Sequence, residues 1–223
     1  MPCYKGKLMN KPIHVLLADD HPAMRIGLRV LLDQASDIKV IAETGDGKET
    51  LAQIEALQPD VVILDCQLPK LSGIEVAAKV KQQNLPVRLL ALSAHDNPKY
   101  QWGMLEMGAA GYLLKDEAPT EIVAAVRAVA QGQQLWKAEQ FTRARHWQQE
   151  VQARWLDLTE QERKVLTFIA SGKSNKEISQ ELNITARTVE FHVSNILNKL
   201  GVTSRVEAAI WLKTYGLGSQ SAE

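Results

Sequence analysis

Val61-Val62-Ile63-Leu64-Asp65 is an unbroken apolar run that stops at a carboxylate. Three more runs in the first half of the chain also end in a chemically capable side chain. Val15-Leu16-Leu17-Ala18 meets Asp19-Asp20, Val87-Arg88-Leu89-Leu90-Ala91-Leu92 meets Ser93, and Gly111-Tyr112-Leu113-Leu114 meets Lys115. Short runs rich in Val, Ile and Leu, separated by helical patterns, read as buried strands of a parallel sheet covered by helices on both faces. Ligands of such sheets bind beyond the carboxyl ends of the strands, so all four endings are expected at one edge. That edge would carry three carboxylates, one hydroxyl and one ammonium.

Three carboxylates brought together repel one another and need positive charge among them. Lys115 supplies one charge, and a hard divalent cation would supply the rest. Mg2+ is usually held by one or two carboxylates, waters and a phosphate, a set that Asp20, Asp65 and a phosphoryl group could offer. A carboxylate beside such a metal can also attack a phosphoryl donor and form an acyl phosphate. Asp65 therefore reads as a phosphoryl acceptor.

Residues 13–131 resemble the receiver domain of bacterial two-component response regulators. The likeness is carried, in order, by Ala18-Asp19-Asp20-His21-Pro22, Leu64-Asp65-Cys66-Gln67-Leu68-Pro69-Lys70-Leu71-Ser72-Gly73, Leu92-Ser93-Ala94 and Gly111-Tyr112-Leu113-Leu114-Lys115. It implies an α/β fold, a doubly wound, parallel, five-stranded flavodoxin-like sheet. It implies that Asp19 and Asp20 form an acidic pocket for Mg2+, with Asp20 the direct ligand, Asp65 beside it, and the backbone carbonyl of Gln67 completing the site. Asp65 would take its phosphoryl group from a sensor histidine kinase, Ser93 would be the switch hydroxyl and Lys115 the partner of the phosphate. Tyr112 stands where the family has a ring that swings between exposed and buried rotamers. His21 reads as structural. Each motif alone has a plain reading: Asp-Asp as a helix N-cap, Lys115 as a solvated lysine, Ser93 as a turn residue. Their order along one chain carries the reading.

Two rivals are distinguishable. An aspartate-nucleophile phosphohydrolase usually places a second acid two residues after the nucleophile, and position 67 is Gln. A phosphorylation-independent regulator with a relic site would have little reason to keep the whole acidic pocket and Lys115. The expected function is thus a regulator and not an enzyme.

No apolar stretch approaches the length of a membrane span, and the opening residues lack the apolar core of a secretory signal, so the protein is expected in the cytoplasm with no membrane partner. Residues 1–12 read as an N-terminal extension, with Met9 a possible start. Two cysteines, Cys3 and Cys66, make a disulfide framework improbable. Charge is more informative by segment. Residues 1–136 hold 14 Lys+Arg against 16 Asp+Glu, residues 137–157 hold 4 against 3, and residues 158–223 hold 8 against 7. The last segment is only weakly basic, which for a nucleic-acid binder points to weak monomer binding reinforced by dimerisation.

After Trp136 the strand-helix alternation stops. Residues 132–157 read as an interdomain helix or tethered linker, in which Phe141, Trp147, Val151 and Trp155 form a short apolar stripe that packs on the flanking domains rather than pairing as a coiled coil. From Leu158 the pattern is wholly helical. Thr159 and Glu162 form a capping start, Gly172 ends that helix, and a second begins at Ser174 or Asn175. Thr185 caps a third helix with Val189, Val193, Ile196, Leu197 and Leu200 on its inner face, Gly201 ends it, and Ser204–Leu212 makes a fourth.

Residues 158–215, followed by a tail at 216–223, are similar to the LuxR-type helix-turn-helix domain. The likeness rests on Leu158-Thr159-Glu160-Gln161-Glu162, Ser171 to Ile178 and Thr188 to Val202. The two halves together resemble the NarL/FixJ class of response regulator transcription factors. The resemblance implies that the third helix enters the major groove of double-stranded DNA and the fourth contributes a dimer contact. Arg187, Glu190, Phe191 and Ser194 are expected near base edges, and Lys173, Lys176, Thr188, His192 and Lys199 at phosphates. The family often has lysine at the positions of Glu190 and Ser194, so the operator read here should differ. Glu160 replaces a frequent arginine, which puts that helix's usual salt bridge in doubt. The implied mechanism is a population shift: the unphosphorylated receiver shields the third helix, and phosphorylation frees it for DNA and for a homodimer. Reversing a 1:99 equilibrium takes roughly 5.5 kcal/mol of differential stabilisation.

Overall fold

The computed structural model describes residues 11–215. Cys3, Met9, most of the extension at 1–12 and the tail at 216–223 lie outside the described residues. The chain divides into two compact units at Arg145/His146.

The first unit is built on a five-stranded sheet in the order β2-β1-β3-β4-β5. Its strands are β1 (Ile13–Ala18), β2 (Ile38–Thr44), β3 (Val61–Asp65), β4 (Arg88–Ser93) and β5 (Gly111–Leu114), and every pairing is parallel. Between and after them run α1 (Pro22–Asp33), α2 (Gly47–Leu57), α3 (Gly73–Gln82), α4 (Pro98–Glu106) and α5 (Ala118–Ala130). The strand period of two sends alternate residues into two separate cores. Val15, Leu17, Ile63, Leu90 and Leu113 pack with Leu28 and Leu32 of α1 and Ile122, Val126 and Val129 of α5. Leu16, Val62, Leu64, Leu89 and Tyr112 pack with Ile54, Val76, Val80 and Met104 of α2, α3 and α4. Covering both faces is why β3 is apolar at every position before Asp65. The edge strand β2 is only partly buried, so Lys39 and Glu43 interrupt it and it shows no continuous apolar run.

Sheet register sets the site. Ala18 lies opposite Leu64, Asp65 opposite Leu92 and Ser93 opposite Leu114. The residues that follow β1, end β3 and β4, and follow β5 are therefore neighbours at the carboxyl edge. This is the expected doubly wound fold.

A long helix, α6 (Ala138–Asp157), crosses the division between units. The second unit is helical: α7 (Glu160–Ala170), α8 (Asn175–Leu182), α9 (Ala186–Leu200) and α10 (Arg205–Tyr215). Capping boxes at Thr159/Glu162 and Ser174/Glu177 start α7 and α8, each satisfying two orphan amides. Thr185 caps α9, and Gly201 ends it at φ +65°, a left-handed conformation that favours glycine. Val165, Leu166, Ile169, Ile178, Val189, Ile196, Leu200 and Trp211 form the core, with Val151 and Trp155 of α6 packed against it. Trp147 lies 5.4 Å from the Tyr215 ring, so most of the α6 apolar stripe is spent on packing. Phe141 stays 38% exposed, under the Arg145 guanidinium. Among the described residues no helix is long and apolar enough to cross a membrane.

Candidate functional site

At the carboxyl edge of the sheet, the Lys115 ammonium bridges two buried carboxylates. Its Nζ lies 2.6 Å from Asp65 Oδ2 and 2.7 Å from Asp19 Oδ2, and both aspartate side chains are only 3% exposed. The Asp65 contact is an aligned hydrogen bond, whereas Asp19 Oδ2 has charge proximity without hydrogen-bond alignment. Asp65 Oδ1 accepts from the Gln67 amide at 3.0 Å. Burial pushes the Asp65 carboxyl above the ordinary carboxylate range, against the opposing pull of the Gln67 amide and Lys115. For Lys115 the balance is reversed. Burial would lower its pKa, but the two aspartates outweigh it and raise it.

Asp20 is exposed beside this pair, and its Oδ1 lies 2.6 Å from His21 Nδ1. One donor atom each from Asp19, Asp20, His21 and Asp65 fall within 4.8 Å of one another, a set that suits a divalent cation. His21, read from the sequence as structural, thus joins the cluster. Its backbone N–H donates to Asp19 Oδ1 at 2.8 Å, which folds the loop so that the ring turns toward the acids. The signal was the contiguity of Asp19, Asp20 and His21. Glycine shapes the other wall: a Cβ at Gly73 would sit 2.1 Å from the Asp65 carbonyl oxygen, so α3 can start directly beneath the acceptor only with glycine there.

Ser93 and Tyr112 meet on the turn after β4. Ser93 Oγ accepts from the His95 N–H at 3.2 Å and donates to the His95 carbonyl at 3.1 Å. Tyr112 is fully buried, and its hydroxyl donates to that same carbonyl at 2.8 Å. Trp136 stacks on the Tyr112 ring with centroids 6.0 Å apart. The Gln67 side chain reaches Tyr100 on α4 at 2.8 Å.

In the second unit α9 presents Arg187, Glu190, Phe191 and Ser194, all exposed and spaced to share one helix face. Phe191 is 65% exposed, which decides against a core role. Lys176 is also open. Of the remaining expected phosphate contacts, Lys199, Lys173 and Thr188 have partners within the unit. Lys199 Nζ lies 2.9 Å from Glu162 Oε2 and 2.9 Å from the Asp157 carbonyl. Lys199 here neutralises a carboxylate that is 4% exposed, a structural role that the sequence reading did not assign it. Burial would raise the Glu162 pKa, but Lys199 and the Thr159 bonds outweigh it and hold it low. Lys173 pairs with Glu181 and covers the Phe168 ring, Thr188 shares its hydroxyl with Thr185, and His192 is half-buried. Glu160 pairs with Lys164 at 2.6 Å, an exposed contact within α7.

Comparison with known proteins matches both halves. A model described as response regulator receiver domain matches residues 15–127, and one described as bacterial regulatory proteins, luxR family, matches residues 156–212. The nitrate/nitrite response regulator protein NarL of Escherichia coli K12 is 35% identical over 214 residues, covering 91% of this chain and 95% of NarL. The chain belongs to the NarL/FixJ-type response regulators. Among solved structures, the signal receiver domain of the putative response regulator NarL from Mycobacterium tuberculosis is 42% identical to this response regulator. It covers 55% of this chain and 99% of its own, with a TM-score of 0.54. RcsB from Salmonella enterica serovar Typhimurium, solved bound to a promoter in the presence of phosphomimetic BeF3-, is 25% identical. It covers 92% of this chain and 99% of its own, with a TM-score of 0.64. Within this NarL/FixJ-type regulator, Asp19, Asp20, Asp65 and Lys115 converge as expected. The internal bonds of Lys173 and Lys199 had no signal beyond a basic side chain.

Proposed function

We propose that this regulator accepts a phosphoryl group on Asp65 from the phosphohistidine of a sensor histidine kinase, and that this controls binding of α9 to double-stranded DNA. The observation that carries the reading is Lys115 held between Asp19 and Asp65 at the end of adjacent strands. An ammonium held between two buried carboxylates at the strand ends, where a phosphoryl group would be received, is placed to hold that group's charge. In the transfer, an Asp65 oxygen forms a bond to phosphorus as the phosphorus–nitrogen bond of the donor breaks and the imidazole leaves. Asp65 must be ionised to attack, and the Gln67 amide and Lys115 both favour that form.

Asp20, Asp65 and the Gln67 carbonyl would hold Mg2+, with Asp19 beside them. Bound there, the cation would neutralise charge on the transferring phosphoryl oxygens. Lys115 stays as the chain's own cation on the phosphate, and Ser93 leaves His95 for a phosphoryl oxygen. Tyr112 shares the His95 carbonyl with Ser93, so its hydroxyl is the group most directly affected by that exchange. The acceptor is the chain's own side chain, so this is a regulator and not an enzyme acting on a foreign substrate.

The reading face is Arg187, Glu190, Phe191 and Ser194 at base edges, with Lys176 and, more weakly, Lys173, Thr188 and His192 at phosphates. With residues 158–223 so weakly basic, a phosphorylation-dependent homodimer supplies the missing affinity. That RcsB was solved bound to a promoter in the presence of a phosphomimetic supports a link between phosphorylation and DNA binding. Such a regulator works in the cytoplasm, where kinase and DNA meet. Selection of duplexes from a random pool with and without acetyl phosphate tests the proposal. Enrichment of a two-half-site operator only with the donor is expected, and identical pools in both arms would contradict it.

A further inference from the structure

We infer that Asp96 and Arg143 are positioning residues that tie the first turns of α6 to the turn carrying Ser93, so that phosphorylation at Asp65 is felt by α6. The inference rests on the reading of Asp65 and Ser93 given above. Asp96 directly follows His95, whose N–H and carbonyl hold the Ser93 hydroxyl and whose carbonyl also holds Tyr112. Both Asp96 carboxylate oxygens are taken by the two Arg143 Nη atoms, at 2.7 Å each, in a fork that fixes the guanidinium in orientation as well as distance. The buried Gln101 side chain of α4 donates to the same carboxylate. Asp96 is therefore braced from one side by α4 and from the other by α6.

Taken alone, an exposed ion pair contributes little. Here it closes a set of bonds that fasten the same stretch of chain to β5 and the residues on either side of it. The Leu135 amide donates to the Ala110 carbonyl at 2.6 Å, and Trp136 Nε1 donates to the Ala109 carbonyl at 2.9 Å. Gln140, a buried side chain of α6, donates to the Tyr112 carbonyl at 3.3 Å, and Lys137 pairs with Glu117 at 2.6 Å. Gln140 is bonded to Tyr112 itself, and the Trp136 ring stacks on the Tyr112 ring. Ser93 and Asp96 thus bound one turn, which also holds the Tyr112 hydroxyl, and α6 is bonded to both Tyr112 and Asp96.

Drawing Ser93 toward a phosphoryl oxygen costs it both bonds to His95 and leaves the His95 carbonyl to Tyr112. The turn must be rebuilt, and a shift of the Asp96 carboxylate pulls on the fork to Arg143 and so on the first turns of α6. Arg143 lies just before the division of the units, and the same helix carries Val151 and Trp155 into the core of the second. A loosened first turn of α6 is how the switch would leave the receiver.

The test uses the full chain as wild type, Arg143→Ala, and the charge-swapped pair Asp96→Arg with Arg143→Asp. Amide exchange of residues 138–145 and affinity for a selected duplex are read with and without acetyl phosphate and Mg2+, alongside acid-labile phosphate on Asp65. Wild type should lose protection at 138–145 with the donor. Arg143→Ala should show that loss without the donor and bind the duplex two- to five-fold more tightly than unphosphorylated wild type, and the swapped pair should restore both values. Ser93→Ala should be labelled yet keep its protection. Labelled wild type with unchanged protection, or a swapped pair that behaves as Arg143→Ala, would overturn the clamp alone. No label on Asp65 would overturn the clamp together with the reading beneath it.

Discussion

Replacing Lys115 with Met removes the ammonium between Asp19 and Asp65 while keeping most of its aliphatic bulk. The two carboxylate side chains are 3% exposed and the lysine 11%, so the variant strands two negative charges in a site that water barely reaches. Removing one partner of a buried pair costs about 3–5 kcal/mol, and the open Asp20 side of the pocket argues for the lower end, about 3 kcal/mol. For a unit of this size that is about 10 °C in Tm. The pH dependence follows from the direction of the Asp65 shift. Its folded pKa already lies above the ordinary value because of burial, and losing Lys115 raises it further. An acid with a raised folded pKa costs stability as pH climbs through the window between its unfolded and folded values. The deficit of Lys115→Met should therefore be greatest at neutral pH and shrink as pH falls into the ordinary carboxylate range. Mg2+ should recover part of it. Scanning calorimetry of both proteins between about pH 4 and pH 8, in chelator and in Mg2+, reads all three effects. A deficit below about 1 kcal/mol, or one indifferent to pH and Mg2+, would refute the electrostatic account of the pocket.

Gly73→Ala should push the start of α3 off the Asp65 carbonyl, costing about 1–3 kcal/mol and slowing phosphorylation by acetyl phosphate; an unchanged labelling rate would show that the backbone at Asp65 tolerates the shift. Lys199→Met should lower the stability of the second unit by about 1–2 kcal/mol by leaving Glu162 unpaired. Because the Glu162 pKa is held low, that loss should be complete above its ordinary value and fade as pH falls below it, as urea titration can follow. Phe191→Ala should change stability by less than about 0.5 kcal/mol while weakening DNA binding, and a Tm loss without a binding defect would return Phe191 to a packing role. Glu190→Ala should alter the duplexes recovered in a selection more than the nonspecific affinity, and the same consensus from both proteins would remove Glu190 from the reading face.

The strands β1, β3, β4 and β5 were legible because burial on both faces forces continuous apolar runs, and each run stops where the chain meets solvent and chemistry. The edge strand β2 was not, since one exposed side admits Lys39 and Glu43 among its apolar residues. Asp19, Asp20, Asp65 and Lys115 were legible for a related reason: parallel strands deliver their carboxyl ends to one edge, so position along the chain stands in for position in space. Helix caps at Thr159, Ser174 and Thr185 were readable because capping is a local transaction within three residues. What escaped was decided by contacts remote in sequence. Nothing local marks Lys199 as the partner of Glu162, Lys173 as the partner of Glu181, or Arg143 as the partner of Asp96. Phe191 could be a core or a surface residue by pattern, and only packing of its neighbours Val189 and Ile196 settles that it faces outward.

The central claim is that one carboxylate receives phosphate and thereby sets DNA affinity. Incubating wild type and Asp65→Asn with acetyl phosphate and Mg2+, then measuring hydroxylamine-labile phosphate and duplex affinity on the same samples, tests it directly. Label and tighter binding in wild type, with neither in Asp65→Asn, is the predicted result. Equal affinity in both proteins, or label that persists in Asp65→Asn, would contradict it.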